Sequence, residues 1–144
     1  MAAWKERGGR GVARVAAEII DQALARPPGS LLTWVPPDPD RSRRRGHHPA
    51  QALGLALAER WALVASPTLT RLPGGRRQAG LTAPERRRNV QGVFLPKVVV
   101  AGEVVLIDDV FTTGATVAAC ADALTWAGAS RVDVITFARA MRFL

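Results

Sequence analysis

The chain has 144 residues, the size of one compact domain, and 48% of them are apolar, which is enough to bury a core. These values exclude a multidomain machine and a disordered segment. The formal net charge is +8, and 18 of the 20 basic residues are arginine, since Lys5 and Lys97 are the two lysines. The planar guanidinium binds phosphate and carboxylate through paired hydrogen bonds, so phosphate is the first partner to consider.

The cysteine content and the hydropathy pattern indicate where the protein resides. A single cysteine, Cys120, excludes an internal disulfide and a cysteine-based zinc site within this chain. No apolar run approaches the roughly 20 residues of a membrane span, and the amino terminus lacks the pattern of a signal peptide. We therefore expect a soluble cytoplasmic protein with no membrane partner.

In the first half of the chain the apolar spacing predicts a helix, a strand and a second helix. Residues 9–26 have apolar side chains at three- and four-residue steps and end in a proline pair, which is typical of an amphipathic helix. The short apolar run at 31–35 predicts the first core strand, and after the charged loop 38–48 a helix begins at Pro49. The apolar face of the first helix is predicted to comprise Val12, Val15, Ala16, Ile19, Ile20 and Ala23.

The second half predicts a strand, a helix and a strand. Residues 103–107 form an apolar strand, 115–127 a helix and 131–138 another strand, while the arginine-rich stretch 71–92 is predicted to be a mobile loop. A strand, helix and strand in that order imply a parallel pair with a right-handed crossover. The predicted fold class is α/β, with an open, mainly parallel sheet flanked by helices. The side chains of Trp61, Cys120 and Trp126 are predicted to pack in the core.

The chemistry is concentrated in residues 104–116, VVLIDDVFTTGAT. A buried strand is predicted to end in Asp108 and Asp109, and the turn 112–116 then opens a helix at the edge where parallel sheets bind ligands. Gly114 allows backbone amides to point at an anion beside the positive end of the helix. The two carboxylates would repel a phosphate, so they are better suited to accept hydrogen bonds from neighbouring sugar hydroxyls. Together these features indicate a site for a ribose 5-phosphate.

Other classes of site fit this segment less well. An acid pair without such a turn is usually a solvated loop, and in receiver domains the pair follows the first strand rather than a late one. A P-loop requires a Gly-Lys-Ser/Thr ending, which this turn lacks. The adjacent His47 and His48 are poor metal ligands without a third ligand nearby.

The segment VVLIDDVFTTGAT resembles the 5-phosphoribosyl 1-pyrophosphate (PRPP) binding signature of type I phosphoribosyltransferases. The motifs VPP and RRRG near residues 35–46, and RRQAGLTAPERRRNVQGVF at 76–94, resemble the ComF/GntX group of late-competence-protein-like phosphoribosyltransferases. The resemblance implies a type I phosphoribosyltransferase fold in a single domain over residues 1–144, without the amino-terminal zinc ribbon that members of the group often carry. The group's frequent RGFNQ motif reads RGHHPAQ in this chain. The contacts that are usual for that motif therefore cannot be assigned to His47 and His48.

The resemblance also implies roles for individual residues. The PRPP ribose would be bound by Asp108 and Asp109, and the 5-phosphate by Thr112, Thr113, Gly114, Ala115 and Thr116. The candidates for the pyrophosphate loop are Pro36, Pro37, Arg43 and Arg45, and those for the mobile loop are Arg71, Arg76, Arg77 and Gln78. Mg²⁺ would be held by PRPP itself, with at most a water-bridged contact to one of the two aspartates.

The implied function is transfer of phosphoribose from PRPP, with Mg²⁺, to an unidentified and typically nitrogenous acceptor, with release of pyrophosphate. Two alternatives stay open. One is a competence or DNA-uptake protein, whose arginines would contact single-stranded DNA or which would bind a competence helicase. The other is a protein that senses PRPP without turning it over. The state of assembly is also open, a homodimer included.

Overall fold

The computed structural model describes residues 2–39, 43, 46–72, 93–111 and 113–139, with the backbone alone for 2–8 and 139. The predicted order of helices and strands is confirmed, and three short strands, β2 to β4, are added to it. The elements are α1 (Ala2–Ala23), β1 (Leu31–Trp34), α2 (Pro49–Trp61), β2 (Val64–Ala65), β3 (Leu69–Arg71), β4 (Phe94–Pro96), β5 (Gly102–Phe111), α3 (Ala115–Trp126) and β6 (Ala129–Arg139).

A parallel sheet forms the centre of the molecule. Its four strands are ordered β2-β1-β5-β6, and every neighbouring pair is parallel. Strands β3 and β4 form a separate antiparallel pair. The prediction of an open, mainly parallel sheet flanked by helices is therefore confirmed.

Strand β5 is buried on both faces of the sheet. Because side chains alternate along a strand, successive residues of β5 pack on opposite faces. Val105 and Ile107 pack with α1 and α2 on one face of the sheet. Val104 and Leu106 pack with α3 and the β3–β4 pair on the other face. All four side chains are fully buried, and each contributes roughly 1.5–3 kcal/mol by leaving water. This continuous apolar run explains why the strand could be predicted so readily.

The buried face of α1 differs from the predicted one. Ala16 and Ile20 are buried as expected, but Val12, Val15 and Ile19 are 66%, 58% and 50% exposed. Helix α1 is therefore rotated about its axis relative to the predicted orientation. Its polar contacts explain this rotation, because Asp21 accepts hydrogen bonds from Trp61 Nε1 at 2.6 Å and from Arg60 Nε at 3.1 Å. These contacts turn the small side chains of α1 toward α2. The buried residues of α1 are Ala13, Ala16, Ala17 and Ile20.

The prediction for Trp126 is wrong, whereas those for Cys120 and Trp61 are confirmed. Cys120 is fully buried and Trp61 nearly so, but Trp126 is 83% exposed. The face of α3 that meets the sheet includes Cys120 and Leu124. Because Trp126 follows Leu124 by two residues, it lies about 200° around the helix and faces solvent.

Strand β5 is also longer than its sequence pattern indicates. It was predicted to stop before Asp108, yet it continues to Phe111. The extension pairs with β6, in which Thr136 lies opposite Asp108. Strand β1, in contrast, ends at Trp34 opposite Ile107, so the two aspartates lie just beyond the end of β1. No helix within the described residues is long and apolar enough to cross a membrane.

Candidate functional site

The acid pair lies at the carboxyl edge of the parallel sheet. Asp108 is 9% exposed, and Asp109 is partly exposed. Since neighbouring side chains of a strand point to opposite faces, Asp108 lies on the side of α3 and Asp109 on the side of α1 and α2. The two side chains therefore leave the strand on opposite faces of the sheet, while Asp109 stays close enough to raise the pKa of Asp108.

Burial makes the charge of Asp108 unfavourable. It raises the pKa of Asp108 to about 6, and the neighbouring Asp109 carboxylate contributes to the same increase. The backbone amide of Asp109 donates a hydrogen bond to Asp108 Oδ1 at 3.0 Å, which opposes part of the effect. A buried acid with a shifted pKa at a sheet edge is typical of a functional site, because packing alone would favour an apolar residue there.

The turn between β5 and α3 has the backbone geometry of an anion cradle. Gly114 is the N-cap of α3 and has a φ of 78°, in the left-handed region that favours glycine. A Cβ at this position would lie 2.8 Å from Cζ of Phe111, so a larger residue would have to displace that ring. Helix α3 then begins with the hydrogen bond from the Ala118 amide to the Gly114 carbonyl at 2.9 Å.

The remaining residues of the predicted phosphate loop lie around this glycine. Thr113 Oγ1 accepts a hydrogen bond from the Ala115 amide at 3.4 Å. Thr113, Ala115 and Thr116 are exposed at the amino end of α3, where backbone amides point out of the helix. The structure therefore brings Thr113 to Thr116 together beside the end of β5, while Thr112 lies outside the described residues.

The predicted pyrophosphate loop starts directly beside the acid pair. The amide of Val35 donates to the Ile107 carbonyl at 2.9 Å, which holds the chain after β1 against β5. Pro36 is buried and Pro37 partly buried immediately after this contact. Arg43 is exposed, and Arg45 lies outside the described residues.

Arg71 connects this loop to the β3–β4 pair. It was predicted within the mobile loop, and the structure places it at the end of β3. Its Nη2 lies 3.6 Å from Asp38 Oδ2, and its guanidinium carbon lies 5.6 Å from the centroid of the Phe94 ring. Asp38 belongs to the segment after β1, so Arg71 restrains that segment. The other mobile-loop candidates, Arg76, Arg77 and Gln78, lie outside the described residues.

A cavity of about 760 Å³ opens between α1 and α2. Its lining includes Arg10 and Arg14 from α1 together with His47 and His48 from the segment before α2. Burial lowers the pKa of His48, while the Asp109 carboxylate acts in the opposite direction. The four-residue spacing of Arg10 and Arg14 places both side chains on one face of α1. The sequence alone does not show that α2 packs beside that face.

The fold is that of type I phosphoribosyltransferases. Glutamine PRPP amidotransferase from B. subtilis, solved with ADP and GMP, superposes with a TM-score of 0.64 at 20% identity over 89% of this chain and 26% of its own. Adenine phosphoribosyltransferase from Thermoanaerobacter pseudethanolicus superposes with a TM-score of 0.54 at 20% identity, over 88% of this chain and 79% of its own. At this level of identity the likeness establishes the architecture.

Sequence comparison adds curated relatives. The DNA utilization protein YhgH, from Salmonella typhi and from Salmonella typhimurium, is 38% identical over 104 residues, which is 70% of this chain. The chain spans 45% of the length of these relatives. No family model matches the sequence.

Proposed function

We propose that this chain is a phosphoribosyltransferase that binds PRPP with Mg²⁺ and transfers its phosphoribosyl group to a nitrogen acceptor. One observation carries the proposal. Asp108 and Asp109 lie near the carboxyl end of the buried strand β5, and the glycine turn at the start of α3 follows that strand, within the type I phosphoribosyltransferase fold. The solved neighbours include a PRPP amidotransferase and an adenine phosphoribosyltransferase, which supports extending the chemistry as well as the fold.

In this proposal the turn holds the 5-phosphate. The left-handed Gly114 lets consecutive amides converge on one point, and the positive end of the twelve-residue helix α3 adds to the attraction. The Thr113 and Thr116 hydroxyls, both at exposed positions, add donors. A monophosphate fits such a cradle better than a carboxylate because it has more oxygens to accept these hydrogen bonds.

The acid pair orients the ribose. Asp108 and Asp109 precede the turn by a few residues, so the ribose attached to a phosphate in the cradle would lie next to them. Each carboxylate accepts hydrogen bonds from hydroxyl groups. Such bonds to the charged form lower the pKa of Asp108, which burial has raised to about 6, so ligand binding and ionisation of this residue favour each other.

The carboxylates of the acid pair also suit Mg²⁺, which prefers oxygen ligands and retains several waters. Asp109, the more exposed of the two, would hold the ion through a water molecule, while PRPP supplies the other oxygens. When bound, the ion neutralises the charge of the departing pyrophosphate. The segment after β1, restrained by the contact between Arg71 and Asp38, would bind the same group.

The proposed reaction balances as a displacement at the anomeric carbon. The lone pair of the acceptor nitrogen forms the new bond to carbon, while the bond from carbon to the pyrophosphate oxygen breaks. Pyrophosphate leaves with the bonding pair, and the proton of the acceptor nitrogen passes to water. The transition state resembles an oxocarbenium ion, so the protein contributes mainly orientation and electrostatic stabilisation.

Calorimetric titration with PRPP, with and without Mg²⁺, tests the proposal. Wild type is expected to bind PRPP with Mg²⁺ at least tenfold more tightly than without it. The double variant Asp108→Asn/Asp109→Asn is expected to lose at least a hundredfold in affinity, because neutral amides accept weaker hydrogen bonds and attract no cation. Asp122→Asn is the matched control, since Asp122 is an exposed carboxylate of α3. Equal PRPP affinity in the double variant and the control would refute the proposal.

A second candidate function is DNA use without turnover of PRPP. The curated relatives carry the name DNA utilization protein, and exposed arginines of this chain, among them Arg10, Arg14 and Arg43, offer phosphate contacts. Affinity for single-stranded DNA that falls steeply with salt, combined with no pyrophosphate release from PRPP under any acceptor, favours this function. Pyrophosphate release that depends on an added nitrogenous acceptor favours the transferase.

A further inference from the structure

An acidic residue lies within the segment proposed to bind the pyrophosphate group. Asp38 comes four residues after the end of β1, and the hydrogen bond from the Val35 amide to the Ile107 carbonyl holds this segment at the carboxyl edge of the sheet. A carboxylate in this position would repel a diphosphate, because both groups are anions. The proposed function therefore requires that Asp38 either has a basic partner or holds a cation.

The basic partner of Asp38 is Arg71, at the end of β3. Nη2 of Arg71 lies 3.6 Å from Oδ2 of Asp38. The side chains are 27% exposed for Arg71 and 35% exposed for Asp38, so water reaches the contact. A solvated ion pair of this kind contributes little to stability, and a more highly charged anion can replace the carboxylate.

The guanidinium of Arg71 has a second contact that does not depend on Asp38. Arg71 lies opposite Phe94 in the β3–β4 pair, and its guanidinium carbon is 5.6 Å from the centroid of the Phe94 ring. Phe94 is 3% exposed and belongs to the same buried cluster as Leu69 and Val35. The contact with this fixed ring keeps the guanidinium beside the segment after β1 even when its anionic partner changes.

Arg71 also lies on the face of the sheet from which Asp108 projects. Leu69 is two residues before Arg71 and therefore on the same face of β3, and it packs in one buried cluster with Leu106. Leu106 is in turn two residues before Asp108 and on the same face of β5. Since Arg71 reaches Asp38 at the carboxyl edge, the guanidinium and the buried acid share one face of the sheet at that edge.

We infer that the contact between Asp38 and Arg71 is an autoinhibitory ion pair, and that the pyrophosphate group of PRPP replaces Asp38 as the partner of Arg71. The guanidinium suits this exchange because it binds phosphate oxygens through paired hydrogen bonds and is always charged. A diphosphate carries more charge than a carboxylate, which favours the exchange when PRPP binds. After the transfer, the returning Asp38 carboxylate helps pyrophosphate to leave. The inference rests on the proposed transferase function and adds a control on its affinity for the diphosphate.

Calorimetric titration of the full chain with inorganic pyrophosphate, without metal, tests the exchange. Asp38→Asn removes the competing carboxylate and is expected to tighten pyrophosphate binding about fivefold, equivalent to about 1 kcal/mol. Asp133→Asn is the matched control, because Asp133 also forms an ion pair with an arginine, Arg131, at 2.9 Å. This control is expected to change the affinity by less than about twofold, since salt screens distant charges. Ribose 5-phosphate, which is proposed to bind at the turn, is expected to bind wild type and Asp38→Asn equally.

A double variant separates exchange at Arg71 from simple repulsion by Asp38. Arg71→Gln removes the charge but keeps a long side chain against Phe94, and it is expected to weaken pyrophosphate binding about tenfold. In the Arg71→Gln background, Asp38→Asn is expected to bring no further gain, because coupled residues have non-additive effects. If Asp38→Asn tightens binding equally with and without Arg71, the carboxylate acts by repulsion alone and the inference is wrong.

The remaining outcomes separate this inference from the proposed function. If wild type binds PRPP with Mg²⁺ but Asp38→Asn binds pyrophosphate no more tightly than wild type, the inference is wrong and the transferase proposal stands. Weaker binding of PRPP with Mg²⁺ by Asp38→Asn would assign Asp38 to the cation and would also overturn the inference. If wild type does not bind PRPP with Mg²⁺, the transferase proposal is wrong and the inference falls with it.

Discussion

The most informative residue is Asp108, because its burial works against folding. The carboxylate is 9% exposed, and its pKa is raised to about 6. Between its ordinary value of 3.8 and about 6, the folded chain binds a proton that the unfolded chain does not. The free energy of unfolding therefore falls as the pH rises through this window and levels off above it.

Replacing the Asp108 carboxylate by a neutral amide tests how much its burial lowers the free energy of unfolding. Asp108→Asn is expected to increase the free energy of unfolding at pH 8 by about 1 kcal/mol, allowing for the solvent that reaches the pair. It is also expected to remove most of the pH dependence between pH 4 and 6. Urea unfolding across this pH range measures both effects. A lower stability of the variant at pH 8 would contradict the assignment of the raised pKa to burial.

Gly114 is the second decisive residue. Its φ of 78° is unfavourable for alanine, and a Cβ would lie 2.8 Å from the Phe111 ring. Gly114→Ala is expected to reduce PRPP affinity at least tenfold, because relief of the clash displaces the amides of the turn. The exposed Ala118→Gly on the same helix serves as a control for helix propensity. Unchanged affinity in Gly114→Ala would argue that another part of the chain binds the phosphate.

At the scale of elements, the sequence predicted the type of each long element and missed how α1 is oriented. The strands were readable because buried parallel strands are continuous apolar runs, as 104–107 shows. The rotation of α1 about its axis could not be predicted, because it depends on hydrogen bonds that Asp21 accepts from Trp61 and Arg60, some forty residues along the chain. Strands β2, β3 and β4 have only two or three residues each, too few to leave a pattern of their own.

The polar anchor of α1 gives a prediction at this scale. The hydrogen bond from Trp61 and the contact with Arg60 lower the pKa of Asp21, so the anchor stabilises the fold above the ordinary pKa and is lost as the pH falls through the lowered value. Asp21→Ala is expected to increase amide exchange in α1 while β5 remains protected. Amide exchange that is unchanged in α1 would show that apolar contacts alone fix the helix.

At the scale of the whole molecule, the acid pair lies at the carboxyl edge of the sheet, between the layers formed by its flanking helices. The side chain of Asp108 leaves β5 on the face of the sheet covered by α3, and that of Asp109 leaves it on the face covered by α1 and α2. The sequence identified the acid pair and the turn because they are contiguous in the chain. It could not identify the cavity, whose walls come from residues 9–14 and 46–59 and meet only through helix packing.

The central claim is that the acid pair and the turn bind one ribose 5-phosphate. An amide NMR titration of the full chain with ribose 5-phosphate tests it most directly, since it needs neither metal nor turnover. The largest shifts are predicted at the amides of Asp109 and Thr113 to Val117, with Asp122 and residues 129–133 unchanged. Shifts confined to the cavity between α1 and α2, or spread over exposed arginines without those of the turn, would contradict the account.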